Sequence, residues 1–341
     1  MRQIASSVAG ARVRNCGCVG VSRRRCDLCD PERYVFLACS RACLVKHLRD
    51  GHGSAVEVDS YQRALAEVRR VNRQRTDAWT PYTSYREHLM RLVQEVPRHD
   101  GVCVLGAGNC DDLDLPFLVG AFGEVHLVDL DGDALARGIA RTPEPVRRRI
   151  VTHAGIDLSG GLRLIDDWGE RHPGAAGFGA SALDSATAIS GQIGRTFGAV
   201  LSTGLLSQLA RPFRRALAMT VADWKGFTNA LALGHLATML RLMRAGAAAV
   251  LACDVASSVG APVLAELATS FQTDDVAFAS AVDALVRAGR VTLNPDPRTW
   301  IQLLESQPLA AQVAQPRLTA PWPWDLGGVR ALVYGLLFSR L

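Results

Sequence analysis

Two kinds of hydrophobic pattern alternate along the chain. From Asp59 to about Thr76, "DSYQRALAEVRRVNRQRT" sets Tyr61, Leu65, Val68 and Val71 at helical spacing among charged residues, which predicts a linker helix. A break at "TPYTSY" follows, with Pro81 near a helix start. Then "SYREHLMRLVQEV" spaces Tyr85, Leu89, Leu92, Val93 and Val96 along one face, a helix expected to cover the edge of a sheet. Past the loop "PRHDG" the pattern changes to short continuous apolar runs: "GVCVLG", "EVHLVDLD", "RRRIVTHA", "FGAVLSTG" and "GAAAVLACDVASS". Such runs, parted by helical stretches, predict buried parallel strands of an α/β fold.

Between the third and fourth runs, "HPGAAGFGASALDSATAISGQIGRTFG" is rich in small residues and predicts a helix around Ala182 to Ile193 with flexible flanks. After the fifth, the stretch from Ser270 to Ala314 reads as two helices joined by a Pro-marked loop. The apolar region "NALALGHLATMLRLMRAGAAAVLACDV" is cut by Arg241 and Arg244, so no run approaches the roughly 20 residues of a membrane span. The start, "MRQIASSVAGARVRNC", lacks the apolar core of a secretory signal, and a cytoplasmic protein without membrane contact is expected.

With 341 residues, 48% of them apolar, the chain can form one large core and a small accessory module. Residues 1–55 hold ten Lys/Arg against four Asp/Glu, and the remainder is nearly balanced, so the excess positive charge belongs to the N-terminal piece. Lys46 and Lys225 are the only lysines; a compositional preference for Arg explains this without a functional role.

Six of the nine cysteines fall in that basic piece as Cys16-x-Cys18, Cys26-x2-Cys29 and Cys39-x3-Cys43, followed by His47 and His52. In a reducing compartment, paired thiols with trailing histidines point to zinc, and eight ligands make two tetrahedral sites. "YVFLA" suits a short strand, and "CSRACLVKHLRD" suits a helix that carries Cys39, Cys43 and His47 on one face. Knuckle, hairpin and ligand-bearing helix together give a treble-clef-like finger. A segment of this size has too little core to fold without the metal.

The stretch from Cys26 to His52 resembles the MYND-type and HIT-type zinc fingers. The resemblance implies a cross-brace in which Cys16, Cys18, Cys39 and Cys43 share one ion, and Cys26, Cys29, His47 and His52 the other. The first pair is one residue too close for that pattern and His52 replaces a cysteine, so one zinc ion is the alternative to two. The basic surround, including Arg23 to Arg25, makes a protein or RNA partner a candidate beside a solvated face with no partner.

"GVCVLGAG" ends an apolar strand in Gly106 and Gly108, which allow a tight turn, and "EVHLVDLD" closes the next strand with Asp129, an acid placed to accept ribose hydroxyls. Cys110 stands where a third glycine would let a diphosphate pack on the following helix. From about Tyr82 to Leu341 the chain resembles the class I S-adenosylmethionine-dependent methyltransferases, including uncharacterised bacterial proteins of that fold. The resemblance implies a Rossmann-like fold with a mostly parallel seven-stranded sheet closed by an antiparallel hairpin in "PWPWDLGGVRALVYGLLFSRL". It implies S-adenosylmethionine as cofactor, held by Leu105, Gly106, Ala107, Gly108, Asn109, the ribose acid Asp129 with Leu130, and the adenine-facing Asp157 with Ile156 and Leu158. Ser202, Thr203 and Gly204 would lie beside the methyl donor.

No catalytic residue stands out. Ser202-Thr203-Gly204-Leu205 replaces the Asn/Asp-Pro-Pro-aromatic run of adenine N6 enzymes, and Cys103 and Cys253 sit within strands as packed thiols rather than nucleophiles. His235, His126 and His153 read as core or strand-flanking histidines in preference to bases. Asp111, Asp112 and Asp114 are candidates for contact with an amine or the methionine ammonium, or for starting the next helix. The expected organisation is a zinc finger over 1–55, a linker helix over 56–81 and a methyltransferase-like domain over 82–341. The leading function is methyl transfer to a recruited protein, RNA or small-molecule acceptor; the alternative is a non-catalytic zinc-finger interaction protein with a degenerate cofactor-binding domain. A nicotinamide oxidoreductase is a third reading, opposed by the missing third glycine and the closing-strand pattern.

Overall fold

The computed structural model describes residues 12–15, 24–25, 34–38, 60–74, 79–97, 100–171, 173–217, 219–271 and 274–341, in two units, Met1–Asp59 and Ser60–Leu341. In the small unit, strands β1 (Arg12–Asn15), β2 (Arg24–Arg25) and β3 (Tyr34–Ala38) form a sheet in the order β1-β3-β2. β1 runs parallel to β3 with Arg12 opposite Tyr34, and β2 runs antiparallel to it with Arg25 opposite Leu37. The strand expected in "YVFLA" is therefore β3. The eight zinc-ligand candidates, Cys16, Cys18, Cys26, Cys29, Cys39, Cys43, His47 and His52, lie outside the described residues, as does the helix expected through them. Among the described residues no group of three or more His, Cys, Asp or Glu side chains could hold a metal ion.

The large unit opens with helices α1 (Ser60–Gln74) and α2 (Thr83–Gln94). Then strands β4 (Val102–Leu105), β5 (Val125–Asp129) and β6 (Ile150–Ala154) alternate with α3 (Leu115–Phe122), α4 (Gly132–Ala140) and α5 (Glu144–Arg147). Helices α6 (Ile165–Arg171) and α7 (Ala175–Ile193) lead to β7 (Phe197–Thr203). After α8 (Leu206–Leu209), α9 (Arg211–Ala216) and α10 (Val221–Leu242) comes β8 (Met243–Ser257). Helices α11 (Val263–Ser270), α12 (Asp275–Arg287) and α13 (Pro297–Leu304) precede β9 (Val313–Leu318), β10 (Trp322–Asp325) and β11 (Arg330–Arg340).

The sheet order is β10-β11-β8-β7-β4-β5-β6, with β9 also paired to β11. Strands β4 to β8 are mutually parallel, and β11 enters antiparallel beside β8. This is the doubly wound Rossmann order, with the chain reversing direction across the sheet between β4 and β7. The mixed sheet thus has eight strands where seven were expected. The extra one, β9, carries Pro316 and a positive φ of 52° at Gln315, and it pairs only along the outer edge, where a missing N–H is tolerated. β10 and β9 divide that edge of β11 between them, β10 along Arg330–Val333 and β9 along Leu336–Arg340.

The apolar runs are continuous because both faces of the sheet are covered. Alternate residues go to opposite cores: Cys103, Leu105 and Val200 face one cluster, and Val102, Val104 and Leu201 the other. The first core is filled by α7 and α10 with an aromatic nest of Trp168, Phe178, Phe213 and Phe227, whose ring centroids lie 4.9–5.9 Å apart. The second is closed by α2 and α3, with Tyr82 and Tyr85 packed on Trp324 at 4.7 and 4.6 Å. Helix α2 therefore covers a face of the sheet, where its edge was expected, because Tyr85, Leu89 and Val93 interdigitate with strand side chains. Helix α7 begins at Ala175, extending well before Ala182, and has a left-handed cap at Gly194. No described helix is long and apolar enough to cross a membrane. The stretch expected as a linker forms α1, whose Ala64 is buried and whose Ser60 hydroxyl donates to Asp166 Oδ1 at 2.6 Å.

Candidate functional site

A cavity enclosing about 980 Å³ of empty space, counted to its open mouth, lies over the carboxyl ends of β4, β5, β6 and β7. That is the crevice where the strand order reverses, the place where doubly wound sheets bind ligands. Its floor is the turn Gly106–Cys110. Gly106 has φ +77° and a Cβ there would stand 2.9 Å from Leu205 Cβ, so the turn needs glycine both for its dihedral and for the close approach of the β7–α8 loop. Gly106 N–H and Ala107 N–H both donate to Val128 O, which ties the turn to β5.

Asp129, at the end of β5, holds the rest of the turn. Its Oδ2 accepts from Gly108 N–H at 2.8 Å and its Oδ1 from Asp131 N–H at 2.8 Å. Each oxygen keeps a further lone pair for a ligand hydroxyl. Burial raises this carboxyl to about 6 against the pull of those two N–H bonds. Asp157 also lines the cavity, but it is more committed: Ser159 N–H and Oγ–H donate to its Oδ1 at 3.0 and 2.6 Å, and Leu162 N–H to its Oδ2 at 2.8 Å. Oδ2 alone has capacity left for an amino group, and burial again raises the pKa.

The three acids after the turn separate into three roles. Asp114 caps α3, accepting from Phe117 N–H at 2.9 Å. Asp111 pairs with Arg141 at 2.8 Å. Asp112 turns into the cavity, where Thr203 Oγ1 donates to its Oδ2 at 2.7 Å and is itself bonded to the Tyr85 hydroxyl at 2.8 Å. Desolvation pushes the half-buried Asp112 up to about 7.

Of the expected cofactor residues, Gly106, Ala107, Gly108, Asn109, Asp129, Leu130, Asp157 and Leu158 line the cavity together. Leu105 and Ser202 do not. Leu105 points into the first core. Ser202 is a correction with a clear cause: strand alternation sends its hydroxyl to the opposite face, where it bonds His235 Nε2 at 2.7 Å, while the next residue, Thr203, meets the cavity. His235 is a buried core histidine, pulled down to about 4 by desolvation and so neutral. His126 bonds His153 at 2.8 Å and Glu124 at 3.0 Å, away from the cavity. Burial raises all three thiols of the large unit, Cys103, Cys110 and Cys253, so none of them is a thiolate nucleophile.

Several lining residues carried no sequence signal. Val68 and Asn72 reach the cavity from α1, and Asn72 Nδ2 donates to Asp131 Oδ2 at 3.0 Å while Asn72 O accepts from Asn109 Nδ2 at 2.8 Å. Helix α1 thus covers the Gly106–Cys110 turn. Tyr82 and Trp324 contribute an aromatic wall from segments far apart in the chain.

The electrostatic character of the lining is one-sided. Asp111, Asp112, Asp129 and Asp157 belong to the lining, Asp111 with its carboxylate paired to Arg141, and among the described residues no Lys, Arg or His does. Helix α3 offers no anion site either, since Asp114 occupies its cap and Pro116 lies in its first turn. Cys110 takes the third-glycine position in the left-handed conformation, φ 56°, with its thiol against Gly138 of α4. A diphosphate would meet carboxylates here; a ligand with a sulfonium and an ammonium fits.

No protein-family profile and no curated protein matches the chain. Among solved structures, a protein studied for conversion of a disulfide bond into a thioacetal group during echinomycin biosynthesis is 13% identical, with 76% of this chain and 81% of that one covered and a TM-score of 0.38. The methyltransferase domain of bacterial CtHen1 is 12% identical over 74% and 96%, TM-score 0.35. TrmN from Thermus thermophilus is 12% identical over 75% and 48%, TM-score 0.37. At these scores the likenesses support nothing beyond what the strand order shows.

Proposed function

We propose that the large unit is an S-adenosylmethionine-dependent methyltransferase. The observation that carries this reading is the cavity at the switch point, lined among the described residues by four carboxyl side chains and no basic one. The antiparallel β11 beside β8 agrees with the closing-strand pattern of that fold and departs from a dinucleotide-binding one. Bound S-adenosylmethionine would supply an electrophilic methyl group on a sulfonium. Asp129 would accept the ribose hydroxyls, the one free lone pair of Asp157 Oδ2 an adenine amino hydrogen, and Leu158 and Ile156 would pack on the ring. The Gly106–Asn109 turn would bring backbone close to the amino-acid end, and Asp112, in the same lining, would be the acid available to the positive charge. Alignment of donor and acceptor accounts for rate without a marked base. The small basic unit, with zinc as its structural metal, would recruit the acceptor.

Calorimetric titration of the whole chain with S-adenosylmethionine, with NAD in parallel, tests the reading. Saturable one-to-one binding of the first and none of the second is expected. NAD binding, or no binding of either, would overturn it.

The raised acids add a pH signature. Asp129 at about 6 and Asp112 at about 7 are partly protonated near neutrality in the free protein, and a cation must lower both. Cofactor affinity is therefore expected to climb from about pH 5 to about pH 8 and then level, with protons released on binding. Stability of the free protein runs the other way. These acids ionise more easily unfolded, near 3.9, so their contribution is best at low pH and declines as pH rises through the two folded values. Heats compared in buffers of different ionisation enthalpy would show the release; affinity falling with rising pH would contradict the assignment.

A further inference from the structure

A second groove lies on the other side of the α8–α9 segment. Leu205, Gln208, Leu209 and Pro212 face the acidic cavity, whereas Ser207, Arg211 and Arg214 face a space of about 570 Å³, again counted to its mouth. Arg211 and Arg214 stand one turn apart on α9 and meet Trp224 and Thr228, one turn apart on α10, with Asn294 on the third side. Both guanidiniums are exposed, and neither has a hydrogen bond, ion pair or ring contact among the described residues. Elsewhere in the large unit Arg137, Arg141, Arg195 and Arg298 are all engaged with acids. Among the described residues the groove lining holds no carboxylate. Trp224 is half-buried, packed on Phe227 at 5.5 Å, and lines this groove. Ser207 and Thr228 are already committed, donating to Asp254 Oδ1 at 2.6 Å and to Lys225 O at 3.0 Å, which leaves the two guanidiniums as the strong free donors.

One short segment therefore separates two sites of opposite polarity, an acid-lined cavity and a groove with two uncommitted arginines. We propose that this groove binds a small ligand that joins an anionic group, carboxylate or phosphate, to a flat ring: the arginine forks take the anion and the ring stacks on Trp224. Its use as the anchor for a methyl acceptor rests on the methyl-transfer reading. Anion binding in the groove does not.

The test is calorimetric titration of the full chain, without cofactor, with benzoate and with phenyl phosphate. Saturable binding of at least one probe is expected, and the tighter of the two names the anion. The double variant Arg211→Gln/Arg214→Gln should weaken it at least about tenfold, the loss of one charge-assisted contact or more. Trp224→Ala should weaken phenyl phosphate more than inorganic phosphate. Both arginines are exposed, so the fold should persist, and an unchanged thermal unfolding curve checks this independently of any cofactor. Equal binding by wild type and double variant, or no saturable binding of either probe, would overturn the proposal. Failure to bind S-adenosylmethionine would leave these readouts intact and count against the methyl-transfer reading alone.

Discussion

Asp129→Ala is expected to weaken cofactor binding by at least about two orders of magnitude and to lower the melting temperature as well. Two hydroxyl-to-carboxylate bonds at about 1.5 kcal/mol or more each correspond to a loss of at least about a hundredfold in affinity. The stability effect has a separate origin. The carboxylate holds Gly108 N–H and Asp131 N–H; Asp131 is 1% exposed, so truncation strands its N–H away from water, while Gly108, in the cavity lining, can turn to water. The stranded donor costs about 1–3 kcal/mol, partly offset because a buried carboxyl is removed with it. Asp129→Asn separates the two effects: its single carbonyl can serve one of the N–H groups, so stability should fall between wild type and alanine while affinity stays low. Thermal unfolding and calorimetry on the same three proteins decide it. Wild-type affinity in Asp129→Ala would remove the ribose role, and an unchanged melting temperature would remove the role in holding the turn.

The second large effect is expected at Gly138, which does not itself line the cavity. It lies inside α4, where alanine would ordinarily stabilise a helix by about 0.5–1 kcal/mol. Here the sign should reverse. An added Cβ would stand 2.5 Å from Asn109 O, 2.8 Å from Asn109 C and 2.8 Å from Cys110 Sγ. The first two are backbone atoms of the cofactor turn, so relief requires moving helix or turn. Gly138→Ala is expected to destabilise the large unit by a few kcal/mol, in the range of overpacked cores, and to weaken cofactor binding at least about tenfold. Cys110→Gly added to it would clear the sulfur but leave the carbonyl clash, so the double variant should recover little. A Gly138→Ala protein as stable as wild type, or more so, would show that α4 does not fix the turn.

The contact of Gly138 with the Gly106–Cys110 turn explains a feature of the sequence. Cys110 looks like a departure from a glycine-rich turn, and in dihedral terms it is, since φ 56° is a conformation glycine adopts more readily. The missing side chain has been moved to the partner: Gly138 has none, and the thiol of Cys110 fills the space. Much of the site could be read in sequence because glycines and strand-end acids are local signals. Gly106, Gly108 and Asp129 were singled out by position at strand ends and Asp157 by the family resemblance, and all four line the cavity. Ser202 and Thr203 show the limit, because a one-residue choice of face decides which hydroxyl meets the cavity and a strand buried on both faces carries no alternation to settle it. Asn72, Tyr82 and Trp324 reach the cavity only through tertiary packing. Strand β9, with a proline and a polar pair in six residues, has no strand pattern to find.

The late position of β11 has a consequence for how the large unit folds. β8 is covered by β7 on one side, but its other side stays open until β11 arrives after the whole helical segment from α11 to α13 has been made. Until then the run Ala247–Cys253, apolar throughout, is an unpaired edge able to pair with another chain. Closing it is a non-local step, slow relative to helix formation, and the exposed interval is when association between chains competes with folding. Once β11 is in place, β9 and β10 cover its outer edge in two short pieces, and the longest strand-edge hazard of the nascent chain disappears into the finished sheet.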